Sequence, residues 1–322
     1  MPALKTDGRN AGLRLSHSRE RAGTVRPFPV LARVRGLVKT FASRGAARGG
    51  FGGAVLGAVL LSGISVQAQT SDLVSHNAFR VCADPANLPM SDKSGAGYEN
   101  RLAELFAAKL ELPVTYTWYP MATGFIRNTL RANRCDIVMG YAQGHEMVLN
   151  TNHYMTSVYT LIVPKGGDLA DVAVLSDDRL KGRRIGIIAG SPPASHMARN
   201  GLIAKAKPYH LVVDRRFESP AVDMLADLAK GDIDAAILWG PIGGPLVKQG
   251  YPDLTVIPLM KETLPPRLYY RITMGVRQGE KVWQRKLNSL IRRNQKEINE
   301  ILTDAGVPLL NDMGTGLYGE GG

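Results

Sequence analysis

The feature that most constrains the fold of this chain is a pattern of alternating strands and helices that occurs twice. The two copies align without a gap, since Leu130 and Asp136 stand 98 positions before Leu228 and Asp234. Alternating strands and helices of this length predict an α/β unit with a largely parallel sheet. Two such units are most simply two similar lobes. The alternative is a chance similarity between two stretches of α/β sequence.

Each copy contains three predicted strands and two predicted helices. The first copy comprises strands at 79–83, 114–119 and 135–139, with helices at 99–110 and 124–132. The second copy comprises strands at 184–189, 210–213 and 233–238, with one helix that ends near Lys205 and another at 221–230.

Extended segments connect the two predicted lobes. Residues 154–163 lead from the first lobe into the second, 254–259 lead back, and 268–276 return a strand that a helix at 282–304 covers. Two crossing strands form a hinge, so we expect a cleft with ligands at the carboxyl ends of the strands. The predicted domains are 69–163 plus 261–322 for lobe 1 and 164–260 for lobe 2.

The amino-terminal segment has the composition of a signal peptide. Residues 1–68 contain 11 Lys and Arg against two acidic residues, and they end in an uncharged run at 51–66 followed by small residues up to Ala68. This order predicts Sec export to the periplasm with cleavage after residue 68. A retained membrane anchor is the alternative. The basic part is unusually long for a signal peptide. Either the segment is an extended Sec signal, or the true start codon lies downstream of Met1.

The presequence also accounts for the basic composition. The whole chain carries a formal charge of +12, whereas residues 69–322 contain 29 basic and 26 acidic residues. A body so nearly balanced lacks the basic stripe that nucleic-acid binding needs. No later stretch predicts a membrane span after signal cleavage.

The two cysteines, Cys82 and Cys135, both lie in the predicted exported body. Cys82 falls in the first predicted strand and Cys135 opens the third, and these strands are commonly neighbours in a doubly wound sheet. An even number of cysteines in an oxidising compartment predicts one disulfide bond. Two buried thiols remain the alternative, and neither cysteine has a spacing typical of metal ligands.

Several separated motifs carry a resemblance to a known family, and they are FRVCADPANLPMS at 79–91, GYEN at 97–100, WYP at 118–120, GFIRNTL at 124–130, CDIVMG at 135–140 and LWGP at 238–241. They resemble the MxaJ/XoxJ-type proteins of methanol oxidation, which share the type II periplasmic solute-binding fold. The resemblance covers roughly residues 79–310. It implies a periplasmic binding-protein fold of two α/β lobes joined by a two-strand hinge.

The resemblance also implies a function. Proteins of this type are quinoprotein dehydrogenase-associated, so we expect a non-catalytic accessory protein, without a cofactor, that binds or activates a PQQ-dependent methanol dehydrogenase. The cytochrome c of that enzyme is a further candidate partner. The alternative is the solute-binding receptor of an ABC importer for a small non-zwitterionic or aromatic ligand. No nucleophile, metal or phosphate-binding motif favours an enzyme.

Amino-acid receptors of the same fold hold the ligand through two charges that this chain lacks. Residues 140–147 contain no Arg after the third strand, and Trp239 stands where those receptors carry an Asp. A zwitterion closed into such a cleft would leave both of its charges unpaired, which is costly. The ligand is therefore expected to be apolar or planar, if one binds.

Nine residues are candidates for the cleft because they lie at strand ends, at helix starts or on the hinge. Tyr141 and Trp239 follow equivalent strands and could face each other, with core packing as the alternative. Helix capping and turn formation are the alternatives for the carboxylates and for Ser191, and solvation is the alternative for Arg127. The candidates are Asp84, Asn87, Tyr98, Glu99, Arg127, Tyr141, Ser157, Ser191 and Trp239.

Overall fold

The structure is a computed structural model, and it describes residues 73–319. The predicted signal peptide at 1–68 lies outside the described residues. The strands are β1 (Phe79–Ala83), β2 (Ala86–Asn87), β3 (Ser91–Asp92), β4 (Val114–Trp118), β5 (Ile137–Ala142), β6 (Leu149–Pro164), β7 (Ile185–Ile188), β8 (Lys207–Tyr209), β9 (Ala235–Trp239), β10 (Leu254–Pro258) and β11 (Tyr269–Val276). The helices are α1 (Tyr98–Lys109), α2 (Phe125–Asn128), α3 (Pro192–Arg199), α4 (Pro220–Lys230), α5 (Gly240–Gly250), α6 (Lys281–Arg293) and α7 (Gln295–Ala305), with a 3₁₀ turn at Asp178–Leu180.

Within residues 73–319, nine strands form one mixed sheet in the order β4-β1-β5-β11-β6-β9-β7-β8, with β10 also paired to β6. Strands β4, β1 and β5 are mutually parallel, and so are β9, β7 and β8. Strand β11 is antiparallel to β5 and β6, and β9 is antiparallel to β6. The two parallel groups therefore run in opposite directions, so their carboxyl ends point toward each other.

Strand β6 runs through both halves of the sheet. Its first part pairs with β11 as far as Val158, opposite Tyr269. From Tyr159 onward it pairs instead with β9 and β10. The crossing strand predicted at 154–163 is confirmed as the central part of this longer element. The predicted lobe boundaries stay predictions, although the change of partners at 158–159 is close to them.

Three predicted elements are shorter or differently placed than expected. The helix predicted at 124–132 ends at Asn128, because Thr129 leaves helical geometry and its hydroxyl donates to the Phe125 carbonyl over 2.6 Å. The strand predicted at 210–213 lies instead at Lys207–Tyr209, in register with β7. The helix predicted to end near Lys205 ends at Arg199.

The helix predicted at 282–304 is two helices. Asn294 interrupts it with a φ of −118° and a ψ of 20°, between α6 and α7. Its side-chain amide donates to the Leu290 carbonyl over 2.7 Å, so this carbonyl accepts from both the Asn294 side chain and the Asn294 backbone N–H. Asparagine commonly breaks helices in this way, because its side chain competes with the backbone. None of the helices described between residues 73 and 319 is long and apolar enough to cross a membrane.

Both faces of the first half-sheet carry a core. Val81 and Ile137 point into a large cluster beneath α1, α6 and α7, where Phe79 packs edge-on against Trp283 with ring centroids 6.1 Å apart. Their neighbours Cys82 and Val138 point to the other face, beneath α2. This alternation follows from the two-residue period of a strand.

Asp136 joins three segments at the amino ends of these strands. Arg80 of β1 donates to it through two nitrogens, each over 2.7 Å. Arg277, which directly follows β11, donates to it over 2.8 Å, and the Ser75 backbone N–H over 3.1 Å. The Asp136 side chain is 2% exposed and the Arg277 side chain 8%. A carboxylate this buried is stabilised only while such partners remain.

The second half of the sheet contains an equivalent arginine–aspartate contact. Asp234 accepts hydrogen bonds from Arg184 Nε over 3.3 Å and Nη2 over 2.6 Å, as Asp136 does from Arg80. In both halves the aspartate backbone N–H also donates to the carbonyl of its arginine, over 2.8 Å. The sequence alignment of the two aspartates therefore corresponds to equivalent structure.

The predicted disulfide bond between Cys82 and Cys135 is present, with Cα atoms 5.5 Å apart. It joins β1 to the residue just before Asp136. Strand β1 is thus connected covalently and electrostatically to the same short segment, which fixes its register against β5.

Glu99 lies in the first turn of α1, as expected from its helix-start position, but its carboxyl is buried against β5. A Cβ at Gly140 would overlap Glu99 Oε1, so only glycine leaves room for this side chain. Burial raises the pKa of Glu99 to about 7. The pKa rises because the removal of water from around the carboxyl disfavours its ionised form.

The two aspartates provide a matched test of the buried cluster. We expect Asp136→Asn to lower the free energy of unfolding by roughly 3–5 kcal/mol, because it leaves the buried Arg277 without its closest carboxylate. Asp234→Asn should cost less than about 1 kcal/mol, because the pair it breaks is partly exposed. Urea unfolding of both variants measures the difference. Equal losses would contradict a special role for Asp136.

Glu99 should make stability depend on pH. Below about pH 4.5 the carboxyl is protonated in both folded and unfolded states, whereas above pH 7 the folded state must hold a buried charge. At about 1.4 kcal/mol per pKa unit, ionisation costs roughly 3 kcal/mol. Glu99→Gln should therefore be more stable than the parent at pH 8 by about that amount and no more stable at pH 4. Urea unfolding at both values tests this, with the exposed Glu104→Gln on the same helix as the control.

Candidate functional site

The carboxyl ends of the two parallel strand groups border a cavity of about 170 Å³. Asn87 and Leu88 line it from the first half, and Ser191, Arg215 and Trp239 line it from the second. This is the position predicted for a ligand cleft, where loops after parallel strands converge. Three of the nine candidate residues, Asn87, Ser191 and Trp239, meet here.

Three aromatic rings pack together beside the base of this cleft. Trp239 lies 5.3 Å from Tyr159 and 5.7 Å from Tyr270, measured between ring centroids, and the two tyrosine rings are 6.4 Å apart. The three residues come from β9, β6 and β11, so they cover the point where the halves join. Burial, together with the nearby Tyr270, raises the pKa of Tyr159 to about 12. The cluster is therefore uncharged at neutral pH.

The turn after Trp239 explains part of the LWGP motif. A Cβ at Gly240 would overlap the Val158 carbonyl oxygen, so glycine permits the start of α5 to lie against β6. Pro241 follows in the first turn of α5, where a missing backbone N–H costs nothing. This close approach holds Trp239 over the strand that both halves share.

Asp84 serves the loops rather than the cavity. Its carboxylate accepts hydrogen bonds from the backbone N–H groups of Ala86 over 2.9 Å and Met121 over 2.7 Å. It therefore fastens the loop after β1 to the loop after β4. These contacts correspond to turn formation, which was the alternative to ligand binding for Asp84.

Asn87 contacts the opposite half directly. Arg215, in the loop between β8 and α4, donates a hydrogen bond to Asn87 Oδ1. The contact bridges the cleft near its opening. Arg215 was not among the residues predicted for the cleft. It follows the segment predicted as a strand at 210–213, and no sequence pattern distinguishes an arginine that lines a cleft from one in any other loop.

Ser191 occupies the N-cap position of α3, as predicted, but makes no side-chain cap hydrogen bond. Its hydroxyl donates instead to the Ile188 carbonyl over 2.7 Å. The hydroxyl is thus directed back toward the end of β7, while the residue still lines the cleft.

Three candidates lie inside the protein. Tyr98 and Glu99 are buried in the first turn of α1, and neither lines the cleft cavity. Ser157 is fully buried in β6, where its hydroxyl donates to the Pro308 carbonyl over 2.7 Å. Ser157 therefore anchors the carboxyl-terminal segment to the crossing strand.

Arg127 and Tyr141 line a different hollow, on the α2 side of the first half-sheet. Tyr141 packs edge-on against His145, with ring centroids 5.0 Å apart, rather than against Trp239. The two hollows have no lining residue in common. The aromatic residues that were expected to face each other thus belong to separate surfaces.

The loops that line the cleft carry exposed apolar side chains, and two of these, Leu88 and Leu211, line the cavity itself. We call Leu88, Leu211, Val212 and Phe217 the apolar rim. Val212 is 79% exposed and Phe217 81%. Leu211 and Val212 lie at the surface because the chain leaves the sheet after Tyr209, so the segment predicted as a strand at 210–213 is a loop.

The described part of the chain offers no metal site. No group of three His, Cys, Asp or Glu side chains between residues 73 and 319 could hold a metal ion. The cleft contains His210, Arg215 and Glu218 among apolar neighbours. Such a lining suits the binding of an apolar group with a few polar contacts.

Comparison with known proteins gives the chain clear relatives, although no family model matches it. It is 27% identical over 246 residues to protein MoxJ of Methylorubrum extorquens, a match that covers 72% of this chain and 81% of MoxJ. A shorter match, 60% identical over 55 residues, covers 17% of this chain and 66% of a Paracoccus denitrificans protein described as uncharacterized and located in the cycB 3′ region.

Solved structures agree with the sequence matches. The periplasmic binding protein XoxJ from Methylobacterium extorquens AM1 is 39% identical, with a TM-score of 0.63, over 73% of this chain and 100% of XoxJ. MxaJ from Methlophaga aminisulfidivorans MPT shares the fold, at 24% identity and a TM-score of 0.62, over 72% of this chain and 100% of MxaJ. The predicted fold class is confirmed. The chain belongs to the MxaJ/XoxJ family of periplasmic solute-binding-like proteins.

Proposed function

We propose that this chain is a non-catalytic periplasmic accessory protein of methanol oxidation that binds a PQQ-dependent methanol dehydrogenase. Its family membership supports the pathway, and its predicted signal peptide and the periplasmic relative XoxJ support the compartment. The cytochrome c of the dehydrogenase is a second candidate partner. The protein itself needs no cofactor for this role.

The observation that carries the proposal is the apolar rim, which lies on the loops that line the cleft. Several exposed apolar groups on loops beside one cavity are typical of surfaces that another protein covers. The cleft behind them is lined by Trp239 and Ile242, which suit an apolar side chain of a partner. Arg215 and Asn87 bridge the opening, so they would have to separate as a segment enters.

The test is binding of the purified mature protein to the methanol dehydrogenase of the same organism. We expect saturable binding that Val212→Ser with Phe217→Ser weakens about tenfold or more, because contact area at the rim is lost. The control is Val282→Ser with Met313→Ser, which removes two equally exposed apolar side chains elsewhere. Surface plasmon resonance gives both affinities.

A deletion strain gives the second measurement. The proposal predicts slower methanol oxidation by intact cells without this protein. It is wrong if the purified proteins do not associate and the deletion strain oxidises methanol at the normal rate.

The enclosed cavity between the two halves supports one alternative, a solute-binding receptor of an importer. Its aromatic wall would select a small apolar or planar solute rather than an amino acid. A cognate solute at 100 times its dissociation constant should stabilise the protein by about 2.7 kcal/mol. A thermal-shift screen over aromatic and aliphatic metabolites measures this, with Trp239→Ala as the variant that should lose the shift. No stabilisation by any compound would contradict the receptor function.

A further inference from the structure

The first half-sheet carries a second hollow on the face opposite α1, α6 and α7. Its volume is about 430 Å³. The side chains that form it are Met121, Phe125, Arg127, Arg131, Tyr141 and Met147.

The hollow exists because this face of the sheet is thinly covered. Helix α2 has four residues, whereas α1 has 12, so most of the covering comes from loops. Met121, Tyr141 and Met147 are consequently only half-buried. Thioether and aromatic side chains adapt to flat or irregular apolar groups, so they form a suitable floor for a ligand.

Two arginines border this apolar floor without a partner. Arg127 and Arg131 are exposed, and neither guanidinium group makes a hydrogen bond or ion pair within residues 73–319. No Asp or Glu belongs to the lining of the hollow. The opening of the hollow therefore carries positive charge that the protein does not compensate.

Several arginines of the second half, in contrast, form ion pairs. Arg179, Arg183 and Arg184 each pair with an aspartate within hydrogen-bonding reach. Arginines without partners also occur on α6, but those border neither the cleft nor this hollow. What distinguishes Arg127 and Arg131 is that their uncompensated charge lies beside an apolar hollow.

The backbone around the hollow favours this placement of the side chains. Gly124 has a φ of +92°, and a Cβ there would lie 3.3 Å from Arg127 Nη2. Glycine thus gives the guanidinium room to fold back over the hollow. Tyr141 is held from two sides, by the His145 ring and by Thr273, whose hydroxyl donates to the Tyr141 carbonyl over 3.0 Å.

We propose that this hollow is a second binding site, separate from the cleft, for a small apolar carboxylate. The flat or aliphatic body of the ligand lies on Met121, Tyr141 and Met147. Its carboxylate pairs with Arg127 and Arg131, whose planar guanidinium groups match carboxylate geometry. Burial raises the pKa of Tyr141, which keeps its hydroxyl protonated as a hydrogen-bond donor at neutral pH.

The probe for the test is 2-naphthylacetate, with its uncharged amide as the matched compound. We expect the mature protein to bind the carboxylate saturably in a ligand-observed NMR titration and to bind the amide about tenfold more weakly. Arg127→Gln and Arg131→Gln should each weaken carboxylate binding by about tenfold, and should leave binding of the amide unchanged.

The control variants separate this site from general electrostatics and from the cleft. Arg134→Gln removes an equally exposed positive charge three residues from Arg131, outside the lining, and should leave the affinity unchanged. Trp239→Ala should also leave it unchanged, since Trp239 lines the other cavity. All three arginines are exposed, so the variants should fold, and circular dichroism verifies this.

The site is refuted by any of three results. These are no saturable binding of 2-naphthylacetate, equal binding of its amide, or an equal loss of affinity in Arg134→Gln. Binding lost in Trp239→Ala and retained in the arginine variants would also refute it, because the probe would then occupy the cleft.

Discussion

The carboxylate of Asp136 holds together β1, the segment before it and the end of β11, and the arrangement of the whole first half depends on it. The second half repeats the contact of Arg80 with Asp136 through Arg184 and Asp234. Both pairs lie at the amino ends of the parallel strands, on the side away from the cleft. Because that side is fixed by ion pairs, and in the first half also by a disulfide bond, the loops at the carboxyl ends need not hold the sheet together. They are free to form the cleft and its rim.

Much of the fold could be predicted from the sequence, because the strand–helix pattern repeats and its strands are nearly continuous apolar runs. The equivalence of Asp136 and Asp234, the crossing strand and the cysteine pairing all followed from that pattern. Two of the errors, at the ends of α2 and α6, arose where a side chain forms a hydrogen bond to the backbone. Thr129 and Asn294 each form a hydrogen bond to a carbonyl four residues back, which apolar periodicity does not reveal.

The site was harder to predict than the fold. Position at a strand end predicted Asn87 and Trp239 as cleft residues, and both line the cavity, but it did not show which face of the sheet a side chain would join. Tyr141 and Trp239 occupy equivalent positions and yet line different hollows. The contact between Asn87 and Arg215 joins residues 128 positions apart, so no local pattern could indicate it. Contacts of that kind depend on how two loops meet once both halves are folded.

The continuity of β6 has a consequence for how such a protein can change over time. Its 16 residues supply edge pairing to β11 in one half and to β9 and β10 in the other. Because both halves share this strand, separating them would remove a pairing partner from one half. That half would be left with an unpaired sheet edge, which is prone to aggregation. Exchange of a single half between relatives is therefore disfavoured, although each half repeats the architecture of the other.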